Sequence, residues 1–270
     1  MKANNTLNYT FLSLGAVIII VPFLWMVAIS VSSTHTVSSL DVGQFFKSLH
    51  FSSFSKLFLE YSVSIYIINS FIVSLFSTLG QVILCALSGY IFARAEFKYK
   101  NIIFIVYLAT MMMPVQATII PQYILVSKMG LTNTYLGLII PGLFAAFGTF
   151  LMKQHFSSIP KAIEEAAILD GIPPLKIFFY IMLPLVKPGL AVLTVMSFMA
   201  SWNDYLWPLM VASDQGHTTL PLFLAQLQGA WYVDYSVLMA GTLISVIPIL
   251  IVYLSAQKHF IQSVASVGVK

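Results

Sequence analysis

Charge punctuates this chain. Long intervals carry no Asp, Glu, Lys or Arg: Ala3 to Leu40, Tyr61 to Ala93, Asn101 to Ser127, Met129 to Met152 and Tyr235 to Gln257. A further apolar stretch, Ile181 to Ala212, is interrupted only by Lys187 and Asp204. A helix rises about 1.5 Å per residue, so about 20 mainly apolar residues cross the hydrocarbon core of a bilayer. Each interval is long enough. The pattern predicts an all-α polytopic bundle of six transmembrane helices, at about 9–33, 63–92, 102–126, 134–154, 184–210 and 236–257. Only 8% of the residues are charged, against about 25% in soluble domains. Lipid, not water, must cover most of the surface.

The cations set the expected orientation, because cytoplasmic loops are enriched in Lys and Arg. With the N-terminus inside, the inner set holds ten cations: Lys2, Arg94, Lys98, Lys100, Lys153, Lys161, Lys176, Lys187, Lys258 and Lys270. The outer set holds three, Lys47, Lys56 and Lys128. Both termini are therefore expected in the cytoplasm. The first apolar stretch, about 9–31, exceeds the apolar core of about 7–15 residues in a signal peptide and reads as a retained span. No loop is long enough to fold alone, so residues 1–270 form one membrane domain. Prolines at 22, 114, 121, 141, 208 and 248 are expected to kink or loosen the spans.

Several functions are excluded. No G-x-x-x-x-G-K-[ST] phosphate loop occurs, so the chain hydrolyses no nucleotide by that route. The net charge of +4 is scattered rather than clustered, which excludes a nucleic-acid face. Cys85 is the one cysteine, a packing residue by its apolar setting, and His35, His50, His155, His217 and His259 are dispersed. Neither a metal site nor a catalytic constellation is expected.

The most informative segment is 157–184, SSIPKAIEEAAILDGIPPLKIFFYIMLP. Pro160 suits the first turn of a helix, Gly171 a left-handed stop, and Pro173 and Pro174 the start of the next helix. Lys161, Glu164 and Glu165 are expected to face water, with Lys161 and Glu165 able to pair four residues apart, while Ile163, Ala166 and Ala167 form a small apolar face. The reading is helix, tight turn, helix on the cytoplasmic side. A solvated interspan loop and a docking knob both fit it.

Glu165-Ala166-Ala167, three residues, Gly171, nine residues, then Ile181-Met182-Leu183-Pro184 resembles the EAA motif, EAA-x3-G-x9-I-x-LP, of ABC importer permeases that work with a binding protein. The resemblance implies a coupling helix in the loop 157–183 that inserts into a separate cytoplasmic ATPase. It assigns that role to Glu164, Glu165, Ala166, Ala167, Asp170, Gly171, Leu183 and Pro184. Residues 111–141 and 197–211, with Thr219-Leu220-Pro221, look like the carbohydrate-uptake branch: the shorter six-span member of the maltose, multiple-sugar and glycerol-phosphate permease pairs. The ending VASVGVK departs from the Gly-rich tail of that branch.

The resemblance implies partners: a second, different permease, an ATPase dimer that uses ATP and Mg2+, an extracellular or periplasmic solute-binding protein, and membrane lipid. This chain itself would bind no cofactor. Polar residues in the apolar stretches are the candidate contacts. Gln116, between Pro114 and Pro121, lines a path or bonds a neighbouring helix. Asn203 and Asp204 lie about 26 Å from Lys187 at 1.5 Å per residue, near the outer boundary, where they are hydrated, stabilise a bend or face a path. Trp202, Tyr205 and Trp207 fit an interfacial belt or a sugar-stacking surface. Gln228 and Trp231 fall in the external loop that resembles the binding-protein contact. An ion-coupled secondary transporter is the alternative class. It calls for ionisable groups at mid-membrane, which the spans almost entirely lack.

Overall fold

The computed structural model describes residues 2–32, 50–229 and 233–267, excepting the side chains of 2–7 and 259–267. Every regular element among them is helical. In chain order they are α1 (Lys2–Ser30), α2 (Ser52–Leu59), α3 (Val63–Arg94), α4 (Lys100–Ala109), α5 (Val115–Lys128), α6 (Tyr135–Ile139), α7 (Ala146–Ser157) and α8 (Lys161–Leu169). A single turn at Pro174–Lys176, a wide π-helical turn at Ile177–Met182 and another turn at Leu183–Leu185 lead into α9 (Lys187–Trp202). Then come α10 (Leu206–Val211), α11 (Leu220–Gln228) and α12 (Tyr235–Val267).

Asn8–Ser30, Val63–Arg94 and Tyr235–Lys258 are each continuous and apolar enough to cross a membrane. Three more stretches have the length and composition only as bent pairs: Lys100–Met112 with Val115–Lys128 at 102°, Tyr135–Gly142 with Ala146–Ser157 at 49°, and Pro174–Leu185 with Lys187–Trp202 at 82°. The bends have local causes. Met113 and Pro114 are both extended, at ψ 123 and 134°, and Pro114 lacks the N–H that would continue the helix. Ala145 is extended at the second bend. Val186, with φ −100° and ψ 16°, sits at the third, between Pro184 and Pro188. Not every proline breaks a helix: Pro22, Pro121 and Pro248 lie inside continuous ones.

Contacts divide the chain into two units. The first comprises Met1–Ile67 and Leu220–Pro248. Its core joins Leu57, Val63, Leu220, Leu222, Val237 and Ala240, all buried. Tyr66 stacks on Phe223 at 4.3 Å between ring centres, and Lys56 Nζ meets Asp234 Oδ2 at 3.3 Å. Helix α1 shows Phe11, Ile18, Ile19 and Leu24 exposed along its length, the surface of a span that faces an apolar medium.

The second unit comprises Ile68–Thr219 and Ile249–Lys270. One of its cores gathers Cys85, Met152, Phe156, Ala167, Phe178, Met182 and Leu193. Here α3 and α7 approach closely because small residues meet. A Cβ on Gly148 would lie 2.7 Å from Cys85 Sγ, and one on Gly89 would lie 2.6 Å from Met152 Cβ. Such contacts let membrane helices pack backbone to backbone. Cys85 is accordingly a buried packing residue. The other core joins Val73, Val126, Leu138, Trp207 and Val211.

Candidate functional site

Helix α8 is stopped by a Schellman turn. Gly171 has φ +74°, Ile172 N–H donates to Ala167 O at 3.1 Å, and Gly171 N–H donates to Ile168 O at 3.0 Å. Only a residue without Cβ takes that backbone freely, which explains the glycine. The helix presents two different faces. On one, Ala167 is buried against Phe156, Phe178 and Met182. Beside it Glu164 turns inward: Oε1 accepts the Tyr90 hydroxyl at 2.5 Å and Oε2 lies 3.4 Å from Arg94 Nε. That ion pair is at contact distance but lacks hydrogen-bond alignment. Arg94 Nη2 instead donates to Phe156 O at 2.7 Å and Ile159 O at 2.5 Å, capping carbonyls where α7 ends. The Arg94 side chain is 7% exposed and that of Glu164 16%. One guanidinium thus ties the end of α3 to the end of α7 and to α8. On the opposite face Ala162, Glu165, Ala166 and Leu169 are all exposed, Leu169 at 87%. Their spacing of i, i+3, i+4 and i+7 makes one stripe.

A second feature is a half-enclosed cavity of about 340 Å³. Three helices send polar residues to it at helical spacing: Ser77 and Gln81 from α3, Thr118 and Gln122 from α5, Ser197 and Ser201 from α9. Asp204 completes it in the break between α9 and α10. Its Oδ1 also accepts Trp207 N–H at 3.3 Å, while Trp207 Nε1 donates to Gly137 O at 3.0 Å. Asp204 therefore supports the bend and lines a cavity at once.

A third cluster pins the loop after α10. Asn133, left-handed at φ +57°, donates its amide to Asp214 Oδ2 at 2.5 Å and accepts Ser213 N–H at 3.0 Å. Asp214 Oδ1 lies 3.0 Å from His217 Nδ1. These bonds hold the Asp214 carboxyl below the usual carboxylate range, the Asn133 amide first and His217 second.

A family profile described as binding-protein-dependent transport system inner membrane component matches residues 85–266. This chain belongs to that family. It is an inner-membrane permease, a non-catalytic component of a transport system. It is 32% identical to a lactose transport system permease protein of Rhizobium radiobacter, over 94% of this chain and 93% of that one. It is 34% identical to an sn-glycerol-3-phosphate transport system permease protein of Pectobacterium atrosepticum, over 73% and 70%. A bacterial ABC transporter involved in the import of the acidic polysaccharide alginate shares the fold, with a TM-score of 0.82 at 24% identity over 96% of this chain and 97% of that one.

The permease's motif residues separate by face. Glu165 and Ala166 are exposed, whereas Glu164 and Ala167 point into the protein. Glu164 thus corrects the expectation that it faces water, because the Tyr90 hydroxyl and Arg94 offer a charged partner and a donor below the helix. Ile163 and Ala166 likewise leave the expected apolar face, and Lys161 and Glu165 form no ion pair. Asp170 is the exposed last residue before Gly171. Leu183 packs against the core and Pro184 is exposed. Gln116 is exposed near the start of α5 and does not line the cavity. Asn203 folds back, donating to Met199 O at 2.9 Å. Trp202 is buried and stacks on Phe198, while Trp207 is largely buried, has its Nε1 bonded to Gly137 O, and lines the cavity. Gln228 is exposed at the end of α11, and Trp231 lies outside the described residues.

Tyr90, Arg94, Leu169, Gln81 and Gln122 went unmarked in the sequence. Arg94 reads there only as an inner cation. The polar pairs at 77 and 81, 118 and 122, and 197 and 201 carry a signal, a repeated i, i+4 polar step on apolar helices.

Proposed function

We propose that this permease pairs with a second, different permease to form the path through which a carbohydrate is imported, and that a separate cytoplasmic ATPase dimer drives it. A solute-binding protein outside the membrane delivers the solute. The ATPase partner binds ATP and Mg2+; this chain binds neither. Both termini and α8 lie in the cytoplasm, and α8 is the element that the ATPase grips.

The division of α8 into a clamped face and a free face carries the reading. Glu164 and Ala167 bind the helix to its own protein, so a push on the free stripe of Ala162, Glu165, Ala166 and Leu169 moves more than a loose loop. Small side chains in that stripe let a partner approach closely, and Leu169 supplies an apolar anchor. The lactose and arabinooligosaccharides named for relatives support a carbohydrate as the cargo, and the cavity among α3, α5 and α9 is this chain's share of the path.

The test is to tag the C-terminus, extract membranes in mild detergent and identify what co-purifies, with Glu165→Lys as the control. A second permease and an ATPase are expected, the ATPase being lost in the variant. A chain that emerges alone and transports without ATP would make it a secondary transporter instead.

A further inference from the structure

The relatives divide by cargo charge: one is named for neutral lactose, another for anionic sn-glycerol-3-phosphate. Overall similarity therefore does not say which kind of solute this permease carries. The cavity does.

Its polar lining is Ser77, Gln81, Thr118, Gln122, Ser201 and Asp204, with Ser197 beside them. Hydroxyls and primary amides both donate and accept, so they match sugar hydroxyls in either sense. The wall contains one carboxylate and no Lys, Arg or His. Asp204 has no ion-pair partner among the described residues, and its carboxylate is bonded by the backbone N–H groups of Trp207 and Leu206, neither of which carries a charge. An unneutralised carboxylate in a half-enclosed cavity focuses its field on the space it lines. A phosphate or carboxylate solute would find hydrogen-bond partners there but no counter-charge.

We propose that Asp204 makes this cavity selective against anions, so that the solute is an uncharged polyhydroxyl compound and not a phosphorylated or acidic sugar. The inference rests on the cavity's being part of the path. It names the charge class of the solute and the residue that sets it.

The chain's single, buried cysteine makes the test direct. With Cys85 replaced by alanine, Gln122→Cys places one thiol in the cavity wall of the assembled complex in membrane vesicles. Three methanethiosulfonates of different charge are then compared: cationic trimethylammonioethyl, neutral methyl and anionic sulfonatoethyl, each rate divided by that with free mercaptoethanol. At a distance of ~8 Å and an effective dielectric of about 20, one charge changes the local concentration of a monovalent ion by about thirtyfold. The expected order is cationic, neutral, anionic, with about tenfold or more between the extremes after screening. Asp204→Asn should collapse the order, and Asp204→Glu should keep it. Equal rates, a ratio indifferent to Asp204→Asn, or a thiol that never reacts would overturn the proposal. Each is distinct from a wild-type chain that co-purifies without an ATPase, which would overturn the transport reading itself.

Discussion

Gly171 offers the sharpest test of the coupling role proposed for α8. Its φ of +74° costs an L-residue about 1–2 kcal/mol, and a Cβ built there meets nothing within 4 Å beyond the adjoining residues. Any penalty is therefore backbone strain and not a clash. Gly171→Ala should disfavour the closed turn by about 1 kcal/mol, roughly fivefold in population. Gly171→Val, branched at Cβ, should approach about 3 kcal/mol, more than a hundredfold. Gly171→Asn should stay close to the native protein, because asparagine tolerates the left-handed region. The turn fixes where the 6→1 bond from Ile172 N–H to Ala167 O closes, and so where Leu169 points. Opening it should uncouple the motor while leaving the bundle inserted. The assay is uptake per ATP hydrolysed by the complex in lipid vesicles. The ratio should fall in the order Gly, Asn, Ala, Val, although Asn is larger than Ala. A flat series, or one in which Asn is as damaging as Val, would refute backbone strain as the cause.

Two further outcomes are expected. Glu164→Gln removes the charge that faces the 7%-exposed Arg94 side chain. The loss of a charge-assisted contact is worth about 1.5–3 kcal/mol, to be read as a lower thermal midpoint in detergent, with exposed Glu165→Gln unchanged as the control. The loop anchored by Asp214 should hold through neutral pH. A depressed folded pKa contributes stability above the unfolded value, about 3.9, and that stability is lost as pH falls through the folded value. The Lys56 pKa, raised above 10.5 first by the hydrogen bond to Asp234, works the other way, since its contribution is full below the unfolded value and is lost as pH rises through the folded one. Hydrogen exchange at 213–219 and 52–59 should therefore be steady between pH 5 and 10 apart from its intrinsic rate, with the first segment opening in acid and the second losing its lysine's contribution in alkali.

The helical class and the number of apolar stretches were legible because a bilayer imposes one rule, length without charge, that local sequence displays. The breaks were less so. Pro114 ends a helix and Pro121, seven residues on, does not, since neighbouring groups decide whether a missing N–H can be absorbed. The EAA segment announced a helix and its stop through residues adjacent in the chain. Which carboxylate turned inward depended on Tyr90 and Arg94, 74 and 70 residues upstream, and no local pattern encodes that pairing. The cavity lay between these cases. Its i, i+4 polar steps are visible in each helix, but their convergence on Asp204 requires the three helices to be assembled, and nothing local distinguishes Gln122, which lines the cavity, from Gln116, which does not.

The two faces of α8 have a consequence for portability. Because Glu164, Ala167 and Gly171 look inward or shape the backbone, they answer to this chain alone. Ala162, Glu165, Ala166 and Leu169 answer only to whatever sits against them. On the proposed coupling role, refitting the permease to a foreign motor begins with these four residues on one helical stripe, and it can be attempted without touching the parts that hold the helix in place.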